Sequence, residues 1–184
     1  MKRGNIVTYV LRLSLTLLAI TAFVALALAG VNSITADKIA NIKLEKMQQA
    51  MEEVLPGAEN LESVAFTDAT GTVKTVYASK DGYVVEVSPS GFGGVISMMV
   101  GIKTDGTVNG ISIVSHTETA GLGSIAAANT SAGEAFRGQF AGTSGQLAVD
   151  KDGGNIDSIT SATITSRAVT AGVNAALAAV AGLG

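Results

Sequence analysis

Val95-Ile96-Ser97-Met98-Met99-Val100-Gly101-Ile102-Lys103 and Val108-Asn109-Gly110-Ile111-Ser112-Ile113-Val114 flank the tetrapeptide Thr104-Asp105-Gly106-Thr107. Two runs of apolar and β-branched residues, joined by a short link that contains Asp-Gly, spell a β-hairpin. Working towards the N-terminus, Tyr83 to Val87 follows an Asp81-Gly82 turn, Val73 to Ala78 alternates, and Ser63 to Thr67 offers a shorter strand. Each run lies next to its neighbour in sequence, so the expected sheet is an antiparallel meander. Working towards the C-terminus, short helices are expected at Ile125 to Ala128 and Gly133 to Phe140, with a last strand at Leu147 to Val149. From Thr163 onward, Ile164, Ala168, Val169, Ala171, Val173, Ala176, Leu177 and Val180 recur at helical spacing and give an alanine-rich final helix. Strands first and helices grouped around them make the fold class α+β, a largely antiparallel sheet with packed helices.

Composition narrows the chemistry. The chain has 184 residues, of which 47% are apolar, enough for one packed domain and an appendage. Its net charge of -3 gives no basic footprint for nucleic acid. It has no cysteine, which excludes thiolate-held iron–sulfur clusters, thioether-linked haem and cysteine-ligated zinc on this chain. The single histidine, His116, has no surrounding metal or triad pattern, so no metal ligand and no catalytic residue is assigned. Redox work by this chain requires an organic cofactor.

The N-terminal part has a different character. Leu13 to Val31 carries no charge and, as a helix rising about 1.5 Å per residue, spans roughly 28 Å, the hydrocarbon thickness of a bilayer. Lys2, Arg3 and Arg12 precede it, which places the N-terminus in the cytoplasm and the rest outside. The other reading is a cleaved signal peptide ending near Ala27 and Ala29; both readings export the domain. Asp37 to Leu55 reads as an amphipathic helix stopped by Pro56-Gly57, either docked on the domain or a simple stalk. The expected organisation is a cytoplasmic N-terminus at 1–12, a transmembrane helix at 13–31, an amphipathic connecting helix at 32–57 and one exported domain at 58–184.

Two segments carry chemistry. In Asp157-Ser158-Ile159-Thr160-Ser161-Ala162-Thr163-Ile164-Thr165-Ser166, hydroxyl side chains crowd the start of the final helix. Unpaired amides and the positive helix end attract a phosphate there, although Ser and Thr also serve as ordinary N-caps. Gly91-Phe92-Gly93-Gly94 is no dinucleotide fingerprint, because no helix follows it; by itself it reads as a tight turn.

Thr160-Ser161-Ala162-Thr163-Ile164-Thr165-Ser166 resembles the flavinylation motif of the FMN-binding domain family, with Ser161 where the family usually has Gly. His116-Thr117-Glu118-Thr119-Ala120-Gly121-Leu122-Gly123 resembles a second loop of that family, with Ala120 in place of Pro. Gly82 to Val87, Gly91 to Ile96, Met99 to Ile102 and Val54 to Ala58 extend the likeness over nearly the whole chain. The family includes the G subunit of Rnf-type ion-translocating ferredoxin:NAD oxidoreductases and the C subunit of sodium-pumping NADH:quinone oxidoreductases. Short length and the Gly-Phe-Gly-Gly turn look more like the former.

The resemblance implies FMN held covalently through a phosphoester on Thr163, attached by a separate flavin transferase that uses FAD and magnesium. It implies that Thr165 and Ser166, with the backbone amides at the helix start, hold the phosphate, and that Thr160, Ser161 and Ala162 belong to the same cofactor-binding segment. Glu118, Thr119, Gly121, Leu122 and Gly123 would approach the isoalloxazine ring, with Leu122 packed on it and Glu118 and Thr119 bonding the flavin or fixing the loop. His116 is expected to be structural more often than a proton relay. The implied function is electron transfer in a complex of other membrane subunits that moves Na⁺ or H⁺, at the inner (plasma) membrane, as a single-pass protein. A stand-alone exported flavin carrier and a non-redox module with a plain helix cap are the alternatives.

Overall fold

A computed structural model describes residues 3–183 of the chain; Lys2, one of the basic residues noted above, lies outside them. Three helices and five strands follow in the order α1 (Arg3–Val54), β1 (Glu62–Val64), β2 (Val73–Ser79), β3 (Gly82–Val87), β4 (Ser97–Lys103), β5 (Val108–Ser115), α2 (Ser131–Gly138) and α3 (Thr163–Ala181). Short 3₁₀ turns occupy Gly123–Ala127 and Asp150–Asp152. The chain forms two compact units, Met1–Leu44 and Glu45–Gly184.

In the first unit the helix is apolar and exposed. Leu13, Leu15, Leu17, Leu18, Ile20, Phe23, Leu26, Leu28 and Val31 all face outward. A helix of this length whose side chains find no protein neighbours suits a lipid solvent, where its backbone hydrogen bonds are satisfied internally. α3 is also long and apolar enough to span a bilayer, yet over half of it is buried within the second unit. It is a core helix.

The second unit is built on the meander β1-β2-β3-β4-β5, all pairs antiparallel. The Asp-Gly link closes β4 onto β5 as expected. Gly106 takes φ +82°, Lys103 N–H donates to Thr107 O at 2.8 Å, and Asp105 Oδ1 accepts from both the N–H and the hydroxyl of Thr107. That pair of bonds holds the Asp105 carboxyl below its ordinary pKa.

Both faces of the central strands are covered, which explains why β3 and β4 read as nearly unbroken apolar runs. On one face Val85, Val87, Met98, Val100 and Ile102 pack with Phe136, Phe140, Val149, Ile156, Val169, Val173 and Ala176. On the other, Val84 and Met99 meet Ala50, Val54 and Leu55 at the end of α1. Asn109 Nδ2 donates to Val54 O at 2.8 Å and Ser112 Oγ to Glu53 Oε2 at 2.6 Å, so the last turns of α1 within this unit dock on the sheet. Gly101 allows that approach: a Cβ there would run into the Val54 carbonyl.

One expected element differs. Leu147 to Val149 is not a strand of the sheet; Val149 makes an isolated parallel bridge with Ile156. The Leu147 backbone is paired instead with a side chain, since Asn174 Oδ1 accepts its N–H and Asn174 Nδ2 donates to its carbonyl, both at 2.8 Å. An amide side chain on α3 satisfies the peptide as a neighbouring strand would. The first strand is also shorter than expected, because only Glu62–Val64 reach β2.

Candidate functional site

α3 begins without a side-chain cap. Its N-cap is Ala162, and the first helical bond runs from Ser166 N to Ala162 O at 3.0 Å. The amides of Thr163, Ile164 and Thr165 therefore point out of the helix end with no acceptor among the described residues. Unpaired N–H groups are normal at a helix start, but a start rich in hydroxyl side chains that still lacks a hydroxyl cap is open to an external acceptor. Ser161 creates the opening. It sits at φ +61°, in the left-handed region, and turns the chain sharply into the helix. The position usually filled by glycine thus does use a positive φ, and the serine accepts the strain.

The two hydroxyls that follow are committed to the protein. Ser166 is fully buried; its Oγ accepts from Ile159 N at 3.0 Å and donates to Ala162 O at 3.1 Å. Thr165 is buried and its hydroxyl donates to Glu118 Oε2. Both residues therefore shape the helix start from behind, while Thr163 stays half-exposed at the front.

Glu118 is the centre of a second set of contacts. Its side chain is only 8% exposed. Oε1 accepts from Gly93 N at 2.8 Å and Oε2 from Phe92 N at 3.3 Å and from Thr165. Thr117 Oγ1 donates to Gly93 O at 2.9 Å, and Glu118 N donates to His116 Nδ1 at 3.2 Å, so His116 acts here as a loop-fixing acceptor. Burial would raise the Glu118 pKa, but the Thr165 hydroxyl and the Gly93 and Phe92 amides, with the nearby His116 ring adding a smaller favourable contribution, outweigh it, and the carboxyl lies below its ordinary value. It is ionised at neutral pH. Gly123 makes room for this arrangement, since a Cβ there would collide with Thr165 Oγ1 and the Glu118 carboxylate.

The result is one cleft of about 350 Å³ lined by Phe92, Glu118, Thr119, Leu122, Gly123, Ser161, Ala162, Thr163, Ile164 and Thr165. Phe92, Leu122 and Ile164 are exposed apolar side chains gathered around its mouth. The cleft joins the hydroxyl-rich segment to the 116–123 loop, two stretches linked in sequence only by motif. Not every expected residue lines it. Thr160 faces a neighbouring hollow with Ile125, Phe136 and Gln139, and Gly121 bonds back to Ser124 Oγ at 2.9 Å. Phe92 and Ile164 line the cleft although neither is among the expected site residues; an aromatic residue set among glycines is the sequence signal that marks Phe92.

The segment leading into the cleft is pinned before it arrives. Gln139 pairs with both the N–H and carbonyl of Asp157, at 2.7 and 3.2 Å. Asp150 accepts from the Ser158 amide and hydroxyl, which hold its carboxyl well below the usual carboxylate range. Arg167, one turn into α3, is clamped bidentately by Asp152 at 2.7 and 2.6 Å.

A donor-rich helix end beside apolar faces matches a ligand with an anionic end and a flat apolar body, and the volume falls in the range of small-molecule pockets. FMN has that make-up, so the residues present fit it. Comparison with known proteins agrees. The FMN-binding domain family model matches residues 91–178. The G subunit of the Na(+)-translocating ferredoxin:NAD(+) oxidoreductase complex of Acetobacterium woodii is 37% identical over 189 residues, covering 90% of this chain and 88% of that protein. The G subunit of the proton-translocating ferredoxin:NAD(+) oxidoreductase complex of Clostridium ljungdahlii is 37% identical, with 87% and 86% covered. The G subunit of the ion-translocating oxidoreductase complex of Methanosarcina acetivorans is 32% identical, with 88% and 89% covered. With 32% to 37% identity to these G subunits over 87% to 90% of its length, the chain belongs to the FMN-binding domain family, among the G subunits of ion-translocating oxidoreductase complexes.

Proposed function

We infer that the chain is an electron-transfer subunit of an ion-translocating ferredoxin:NAD oxidoreductase complex, and that Thr163 carries its FMN through a phosphoester. The observation that carries the attachment is the uncapped start of α3, where a half-exposed hydroxyl stands among free amides at the edge of a ring-sized apolar cleft. Bound there, FMN supplies an acceptor and donor of electrons singly or in pairs. The chain's own work is to hold it. Amides of Thr163, Ile164 and Thr165 offset the phosphate charge, and Phe92, Leu122 and Ile164 cover the ring from water. Thr165, Ser166 and Glu118 fix the walls.

No base stands beside the Thr163 hydroxyl among the described hydrogen bonds, which favours loading by a separate flavin transferase. The transfer joins Thr163 Oγ to the FMN phosphorus of FAD, and AMP leaves. A covalent link suits a domain outside the cytoplasm, where free flavin is dilute. The proposed arrangement is a cytoplasmic N-terminus at 1–12, a single membrane span at 13–31, a connecting helix at 32–57 and the FMN domain at 58–184, extracytoplasmic at the inner membrane. The basic residues before the span support that orientation.

Intact-mass analysis of protein made in its native host tests the assignment. The mass of one FMN should survive denaturation, map to Thr163 by peptide analysis, and vanish in Thr163→Ala while the fold remains. Native protein with an unmodified Thr163 would overturn it.

A further inference from the structure

Glu118 presents a charge that the binding of FMN does not need. Glu118 is 8% exposed and lines the cleft that holds Thr163. All of its hydrogen-bond donors are uncharged: the amides of Phe92 and Gly93 and the hydroxyl of Thr165. The ion pairs among the described residues, Lys151–Asp150 and Arg167–Asp152, do not reach it. A carboxylate buried without an ion pair is uncommon, because desolvation is costly unless the charge is paired. Neutral dipoles keep it ionised and hold a negative charge at the cleft wall.

We propose that Glu118 sets the electron affinity of the FMN in this cleft, its buried negative charge disfavouring electron addition and so holding the midpoint potential low. The inference rests on the reading that FMN occupies this cleft and deepens it. Its physical basis is that each electron added to the ring brings negative charge towards a fixed anion in a site of low dielectric, and charge near a flavin tunes its electronics. Three neutral donors perform the companion task of keeping Glu118 unprotonated while the cofactor cycles.

The test uses the full chain, produced together with its flavin transferase and purified in detergent, with FMN on Thr163 verified by mass. Reductive titration of Glu118→Gln should show a midpoint more positive than that of the wild type. Thr165→Val removes a donor and keeps the charge, so its midpoint should not rise. An E118Q midpoint at or below the wild-type value overturns the proposal, and so does an equal rise in T165V, which would trace the effect to a loosened loop. Wild-type protein labelled with isotopic glutamate provides a reading that needs no variant. Its reduced-minus-oxidised infrared spectrum should show a displaced glutamate carboxylate band, and an unchanged glutamate region overturns the proposal even if E118Q takes up no flavin. In unloaded E118Q, the Phe92 and Gly93 amides should exchange faster than in unloaded wild type, and unchanged protection would refute the hydrogen-bond arrangement on which the charge depends. E118Q that carries FMN with an unmoved potential defeats this inference alone; native protein without FMN removes the parent reading and this inference with it.

Discussion

The Thr165 hydroxyl donates a hydrogen bond to the Glu118 carboxylate across 47 positions of sequence, and both side chains are buried. This contact ties the first turn of α3 to the loop after β5, and through Gly93 and Phe92 to the turn before β4. Removing it with Thr165→Val leaves a buried anion short of a donor in an otherwise isosteric site. The expected cost is about 1–3 kcal/mol, as for a lost hydrogen bond to a charged group. Thr165→Ser should recover most of it. Urea unfolding of the three proteins measures both values.

The same contact has a definite pH dependence. The folded Glu118 pKa lies below its ordinary 4.5, so the ionised form binds its donors more tightly than the unfolded chain does. Its stabilisation is fully present above the unfolded pKa and is lost as the pH falls through the lower, folded value. The stability gap between wild type and Glu118→Gln should therefore be flat through neutral pH and shrink only below about 4.5. Melting temperatures of both proteins across the acid range check this; a gap that closes near neutrality would contradict the assigned shift.

Ser161 carries a left-handed φ of +61° at the entrance to α3. Relief of that conformation by Ser161→Gly is opposed by the greater freedom of glycine in the unfolded chain. The net expectation is a gain of about 0.5–1 kcal/mol. Thermal unfolding of the unloaded protein gives the number, and a loss of stability would mean that the serine side chain contributes more than its backbone costs.

Phe92 is 70% exposed and Leu122 41% exposed, so neither is needed for the core. Phe92→Ala and Leu122→Ala should each change stability by no more than about 0.5 kcal/mol, as for surface positions. Both should alter the visible absorption and fluorescence of bound FMN by exposing its ring to water. Spectra indistinguishable from wild type in both variants would move the ring elsewhere.

Much of the fold is legible in the residues because its signals are local. Asp105-Gly106 marks the β4–β5 turn, Asp81-Gly82 the β2–β3 turn, and Pro56-Gly57 the end of α1. Leu147 to Val149 misleads because three apolar residues fit a strand, whereas their backbone partner is Asn174, distant in sequence. The site divides in the same way. The helix start and the 116–123 loop are legible as contiguous motifs. Their meeting through Glu118, the turning of Ser166 away from the cleft, and the inclusion of Phe92 and Ile164 depend on long-range packing that no short stretch encodes.

The neighbour-to-neighbour order of the five strands has a bearing on how the pocket admits a large cofactor. Every rung of that ladder joins strands adjacent in sequence, while the fastenings around Thr163 lie outside it, in side-chain bonds to Glu118, Asp150 and Gln139. Opening the mouth would require releasing only those few bonds while the ladder stays zipped, so the free energy of entry is expected to be smaller than that of global unfolding.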